Sequence, residues 1–107
     1  MDQTTRILAA FLKNELESND IPITAILLFG SQATGSPSPS SDLDLAIVSE
    51  KFEGKDSFER NQLIKRSALA TLRKFLTPIE FIPLTSNELR TNSRLISGYV
   101  NQGISLV

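Results

Sequence analysis

Two short stretches, residues 23–29 and 42–48, constrain the fold of this chain more than any other feature. The first, ITAILLF, is nearly continuous apolar sequence stopped by Gly30, and a bounded run of that length reads as a buried β-strand. The second, DLDLAIV, alternates Asp42 and Asp44 with Leu43 and Leu45 before turning wholly apolar, which makes it a strand with a polar beginning. Between them, GSQATGSPSPSS is small and polar. Buried strands need a cover, and a chain of 107 residues has room for one small domain around a single core.

Helical patterns supply that cover. Ile7, Leu8, Phe11, Leu12 and Leu16 recur at helical spacing with Arg6, Lys13, Asn14, Glu15 and Glu17 between them, predicting an amphipathic first helix. Asp56 followed three residues later by Glu59 is a capping-box pattern opening a helix that runs to about Leu76 and stops at Pro78. Its inner face is expected from Ile64, Ala68, Leu72 and Phe75. Arg60, Lys65, Arg66, Arg73 and Lys74 are expected to give it a basic, solvated exterior. Residues 79–84, IEFIPL, read as a third strand with Pro83 marking an edge or a strand end. Thr85 or Ser86 can cap a short turn containing Glu88, and Leu95, Ile96, Tyr99 and Val100 form another helical stripe ending near Gly103. Residues 104–107 are a short apolar tail that could pack on its own domain or across an interface between chains. The expected architecture is α/β (α+β): one domain spanning residues 1–107, with a small mixed sheet of three or four strands and helices packed on it.

Composition narrows the chemistry. The chain has no Cys and no His, which removes thiolate nucleophiles, imidazole bases and the usual zinc ligands. Catalysis, if present, must use carboxylates, hydroxyls or amines. Eleven Lys and Arg against twelve Asp and Glu give a net charge of −1, so no basic excess points to general nucleic-acid binding. No segment approaches the ~20 apolar residues of a membrane span, and the polar residues 1–6 do not begin a signal peptide; a cytoplasmic protein is expected.

The informative pattern is Gly30-Ser31 at the end of one strand, then ten residues, 32–41, then Asp42-Leu43-Asp44 at the start of the next. A strand ending in Gly-Ser can present backbone N–H groups and a hydroxyl to phosphate. Asp42 and Asp44 stand two residues apart on a strand and so share one face, with Cα atoms roughly 7 Å apart. Two convergent carboxylates repel until a cation joins them, and oxygen-only ligation selects magnesium or manganese. Glu80 puts a third acid on the third strand, where Ile79 and Phe81 would face the other side. It could ligate a second metal or take a proton from an attacking hydroxyl. Ser36 and Ser41 could add hydroxyl contacts to phosphate or cap the second strand.

LLFGSQATG followed by SDLDLAIV resembles the GSx10DxD signature of minimal nucleotidyltransferase (MNT) domains, members of the DNA polymerase beta superfamily. The leading helix, the basic helix, the TPIEF strand and the closing Gly-Ile-x-Leu tail extend the resemblance over nearly the whole chain. It implies that Gly30 and Ser31 hold a nucleoside triphosphate, that Asp42 and Asp44 bind magnesium ions, and that Glu80 completes the acidic triad. ATP is the nucleotide donor it implies, with AMP moved to a hydroxyl. It also implies a setting, the antitoxin of a two-component pair whose other member is a helical HEPN-type protein. Gln32 and Thr34 stand where many members carry basic residues, which implies weaker nucleotide affinity, and Glu80 stands where Asp is common. The alternative function is a non-catalytic module that binds nucleotide or neutralises a partner by contact.

Overall fold

The computed structural model describes residues 3–29, 43–91 and 104–105. In chain order these form helix α1 (Gln3–Ser18), strand β1 (Ala25–Phe29), strand β2 (Leu43–Val48), a single 3-10 turn (Glu50–Phe52), helix α2 (Ser57–Phe75), strand β3 (Ile79–Leu84), helix α3 (Ser86–Thr91) and strand β4 (Ile104–Ser105).

The four strands make one sheet in the order β3-β2-β1-β4. β1 runs antiparallel to β2 and to β4, whereas β2 and β3 are parallel and joined through α2. The sheet is therefore mixed, as the alternation of strands and helices predicts. β2 lies between β1 and β3 and is buried at every position except Asp44, which is half-buried. Pro83 falls on β3, an edge strand where its missing N–H disrupts no ladder on the open side. The C-terminal tail pairs at Ile104 and Ser105 with this chain's own β1.

One face of the sheet carries the main core. Ile26 and Leu28 of β1, Leu43, Leu45 and Ile47 of β2, and Ile79 and Phe81 of β3 pack with Leu8, Ala9, Leu12 and Leu16 of α1 and with Ile64 of α2. The two helices are tied beyond this apolar contact. The Asn19 side-chain amide donates to the Ser67 hydroxyl at 2.9 Å, and Phe11 meets Phe75 edge-on at 5.7 Å between ring centroids. A second, smaller cluster lies on the other face, where Ala46 and Leu84 are buried against Leu27, Ile82 and Leu89 of α3.

Local signals account for the helix ends. Asp56 and Glu59 form a reciprocal capping box at α2: the Asp56 carboxylate accepts from the Glu59 N–H at 2.8 Å and the Glu59 carboxylate from the Asp56 N–H at 3.1 Å. α2 closes at Leu76, whose φ of 51° is left-handed. At α3 the Thr85 hydroxyl accepts from the Glu88 N–H at 3.1 Å while the Glu88 carboxylate accepts from the Thr85 N–H at 3.0 Å, a second capping box on the expected residues.

Arg60 corrects the expected basic exterior of α2. It is only 9% exposed, because Arg60, Ile64, Ser67 and Thr71 follow one another at helical spacing along the buried side of the helix. Its guanidinium donates to the Lys55 and Pro83 carbonyls and pairs in bidentate fashion with Glu88, at 2.6 and 2.9 Å. The remaining basic residues, Lys65, Arg66, Arg73 and Lys74, are exposed as expected. The stretch read as a loop at 51–55 begins inside the 3-10 turn, where Ser49 accepts from the Lys51 N–H and Phe52 is buried. The stripe Leu95, Ile96, Tyr99 and Val100 lies outside the described residues.

Candidate active site

Strand register brings two of the three predicted acids together. Asp44 on β2 pairs directly with Glu80 on β3, so their Cα atoms stand on neighbouring strands about 4.8 Å apart and both side chains leave the same face. On its other side Asp44 pairs with Phe29, the last residue of β1. Gly30 and Ser31 come next in the chain, and Asp42 is two residues before Asp44. Gly30, Ser31, Ser36, Ser41 and Asp42 themselves lie outside the described residues.

The face that carries Asp44 and Glu80 is graded. Moving along β2 and β3 away from the acids, Ala46 pairs with Ile82 and Val48 with Leu84, and the far end is covered by Leu89 of α3. Acids occur only at the β1-exit end of these two strands. Asp44 is half-buried and engaged in a polar interaction, and Glu80 is exposed on the edge strand. Backbone alternation fixes this split: Ile79 and Phe81 turn into the main core, so Glu80 between them must turn away.

Donor chemistry fits a hard divalent cation. The donors are carboxylate oxygens, with no sulfur or imidazole in the chain to favour zinc. Among the described residues no three Asp, Glu, His or Cys side chains gather to hold a metal; Asp44 and Glu80 are a pair. Glu80 also lines a groove of about 460 Å³ between β3 and α2, together with Ile79, Phe81, Gln62, Lys65 and Leu69. An arrangement of this kind, with two carboxylates and a groove that adds Lys65 beside a strand that leads into Gly-Ser, suits a cation carried with an anionic substrate such as a phosphate ester.

The comparisons with known proteins bear on the family and the fold. The family model for Polymerase beta, Nucleotidyltransferase matches residues 11–106. The chain belongs to this family. Among solved structures, the nucleotidyltransferase fold seen here matches that of a proposed nucleotidyltransferase from Sulfolobus solfataricus, with 21% identity, 94% of this chain and 77% of that chain covered, and a TM-score of 0.65. Another proposed nucleotidyltransferase matches at 28% identity over 96% of this chain and 99% of its own, with a TM-score of 0.54. The structure of a toxin-antitoxin with AMP-PNP matches at 25% identity over 89% of this chain and 72% of its own, with a TM-score of 0.57. No curated protein matches the sequence.

The ion pair that ties this nucleotidyltransferase together near β3 was not anticipated as a unit. Glu88 is held below its ordinary carboxylate value, first by its hydrogen bonds from Arg60 and then by those from Thr85, against the opposing effect of burial. The Arg60 guanidinium is raised for the reciprocal reason. The sequence signal was present: Arg60 falls one helical turn before Ile64 on the inward stripe. No described helix is long and apolar enough to cross a membrane.

Proposed function

We propose that this chain is a magnesium-dependent nucleotidyltransferase that moves AMP from ATP to a hydroxyl group on a protein partner. The observation that carries the reading is the pairing of Asp44 with Glu80 beside the strand end that continues into Gly30-Ser31. Family membership supports the transfer reaction. The toxin-antitoxin relative that contains AMP-PNP supports both an adenine nucleotide and a protein partner, and the partner proposed is the helical HEPN-type member of such a pair.

Each group has a distinct task. Asp42 and Asp44 hold the divalent cation, which when bound supplies charge neutralisation to the triphosphate. Gly30 and Ser31 present backbone N–H groups and a hydroxyl to the departing diphosphate, with Ser36 and Ser41 as further hydroxyl donors. Glu80, exposed and in register with Asp44, accepts the proton of the incoming hydroxyl. The bond formed joins the acceptor oxygen to the α-phosphorus. The bond broken joins that phosphorus to the bridging oxygen, which leaves with its electron pair as pyrophosphate.

The test is incubation of the protein with magnesium, α-labelled ATP and the product of the adjacent gene. Label should pass to that protein, and Asp42→Asn/Asp44→Asn should abolish the transfer. Undiminished transfer by the double variant overturns the mechanism. If the wild type transfers nothing yet still binds the partner, and the double variant binds it equally well, the chain is a binding module instead.

A further inference from the structure

The outer side of α2 has an order that neither the fold nor the acid pair explains. Phe58, Gln62, Lys65, Leu69 and Arg73 are all exposed and succeed one another at steps of three or four residues, so they form one stripe along the helix. Phe58 is 71% exposed and Leu69 39% exposed, and Leu76 at the C-cap, 85% exposed, ends the same helix. Ile7 is the one other large apolar side chain so exposed among the described residues. A solvated helix face would concentrate polar residues here; this one interleaves apolar residues with cations.

The charge on this stripe is unbalanced. Lys65, Arg66 and Arg73 gather with Gln62 and Leu69 around a groove of about 320 Å³. Among the described residues the recorded salt bridge is Arg60 with Glu88, on the buried side of the helix, and these three cations enter no ion pair. The chain as a whole carries a net charge of −1, so the concentration is local. Gln62, Lys65 and Leu69 also line the neighbouring groove that reaches Glu80.

We infer that the outer face of α2 is the docking surface for an acidic amphipathic helix of a partner protein. The spacing specifies the occupant: apolar residues recurring at helical period to meet Phe58 and Leu69, and carboxylates about one turn on either side of the residue meeting Leu69, to face Lys65, Arg66 and Arg73. A helical partner matches a straight stripe of this kind, since ridges formed at steps of three and four residues pack against one another. A single-stranded nucleic acid would take the cations and stack a base on Phe58, but Leu69, set among the cations, offers a base no π face, whereas the side chains of a helix pack on both. The net charge of −1 also gives the chain no general basic excess. The inference deepens the proposed function by naming the surface that receives the partner, and it rests on that reading only for the partner's role in transfer.

Binding is measured without nucleotide, so its failure and a failure of transfer are separate results. The full chain, labelled for amide NMR, is titrated at about 0.1 M salt, where charges still interact within about 10 Å. The probe is a designed helical peptide of about 18 residues, about 27 Å long, with leucines at helical period flanked by glutamates; the control has lysine at every glutamate. The acidic peptide should bind at least about tenfold tighter and shift amides of residues 58–76. K65E/R66E/R73E should reverse the preference, and K65Q/R66Q/R73Q should abolish it, which keeps the test intact if charge reversal perturbs folding. Leu69→Ser should weaken both peptides. Equal affinity, no binding by either peptide, or shifts confined to other elements overturns the inference. So does a single-stranded RNA oligonucleotide that binds this face more tightly than the acidic peptide, or a dimer of the chain that Leu69→Glu dissociates.

Discussion

The two faces of β2 are built from alternate residues of one six-residue strand, yet they have opposite jobs. Leu43, Leu45 and Ile47 point into the main core under α1 and α2. Asp44, Ala46 and Val48 point the other way, and their partners on β3 are Glu80, Ile82 and Leu84. The first face is uniform because its purpose is exclusion of water. The second is graded from acid to apolar, so its buried end anchors the strand while its polar end carries the acid pair of the candidate site. A one-residue slip of register would exchange the two sets, and the wholly apolar face is what prevents it: the slip would place Asp44 in the main core.

That contrast predicts substitutions with separable effects. Asp44→Asn should lower nucleotidyl transfer by about 10³-fold, about 4 kcal/mol of barrier, while unfolding free energy stays within about 1 kcal/mol of wild type. Loss of the folded state would mean that Asp44 is structural and would erase the distinction between the faces. Its neighbour should behave in the opposite sense. Leu45 is fully buried, and Leu45→Ala should cost about 3 kcal/mol through lost burial and a cavity. A melting temperature lower by about 15 °C is expected, with transfer per folded molecule retained below the transition.

Most of this division was legible from sequence. Strand alternation alone put Asp44 and Glu80 opposite the residues that flank them, and the Gly-Ser and Asp-x-Asp pattern marked the candidate site, of which Gly30, Ser31 and Asp42 lie outside the described residues. Sequence restricts the register between β2 and β3 to shifts of two residues, which keep the apolar face inward; which of those shifts forms depends on how α2 spans two strands that are distant in the chain. Arg60 shows a different limit. Its charge argued for the exterior and its place in the helical period for the interior, and the period prevailed because Glu88 and the Lys55 and Pro83 carbonyls satisfy the guanidinium. Residues 30–42 hold the phosphate-binding half of the proposed site, and their small polar sequence has no hydrophobic periodicity from which to infer a conformation.

Arg60 and Glu88 join the two faces around the open edge of β3. Arg60 lies on α2, Glu88 on α3, and the Pro83 carbonyl between them belongs to the edge strand. Because Glu88 is depressed below its ordinary value of 4.5, the pair contributes stability above that pH. The contribution is lost as pH falls below 4.5 through the folded-state value, where the carboxylate takes up a proton. The Glu88 side chain is 39% exposed, so screening limits the effect to about 1 kcal/mol. Glu88→Gln should therefore be less stable than wild type at pH 7, and the gap should close as denaturation is followed from pH 5 toward pH 3. A gap that persists unchanged in acid would assign the loss to the capping geometry at Thr85 instead of to the charge.

The smallest effect tests whether the outer side of α2 is tuned for stability at all. Leu76 holds a left-handed backbone with φ of 51° and exposes 85% of its surface, a combination that costs the fold twice. A branched side chain is disfavoured in that region by about 1 kcal/mol, and the exposed leucine gains almost nothing from burial. Glycine adopts the conformation freely and is the common helix terminator, although its more flexible unfolded state returns part of the gain. Leu76→Gly should raise unfolding free energy by about 0.5 kcal/mol and the melting temperature by about 2–4 °C. Leu76 is not among the residues assigned a role in transfer, and transfer to a small hydroxyl acceptor should not change. Binding of an acidic helical peptide should weaken by about twofold. Higher stability with weaker binding would mark the outside of α2 as a surface kept for contact at the expense of stability, in contrast with the sealed face it covers on its inner side. Lower stability would instead mean that Leu76 packs on its own domain.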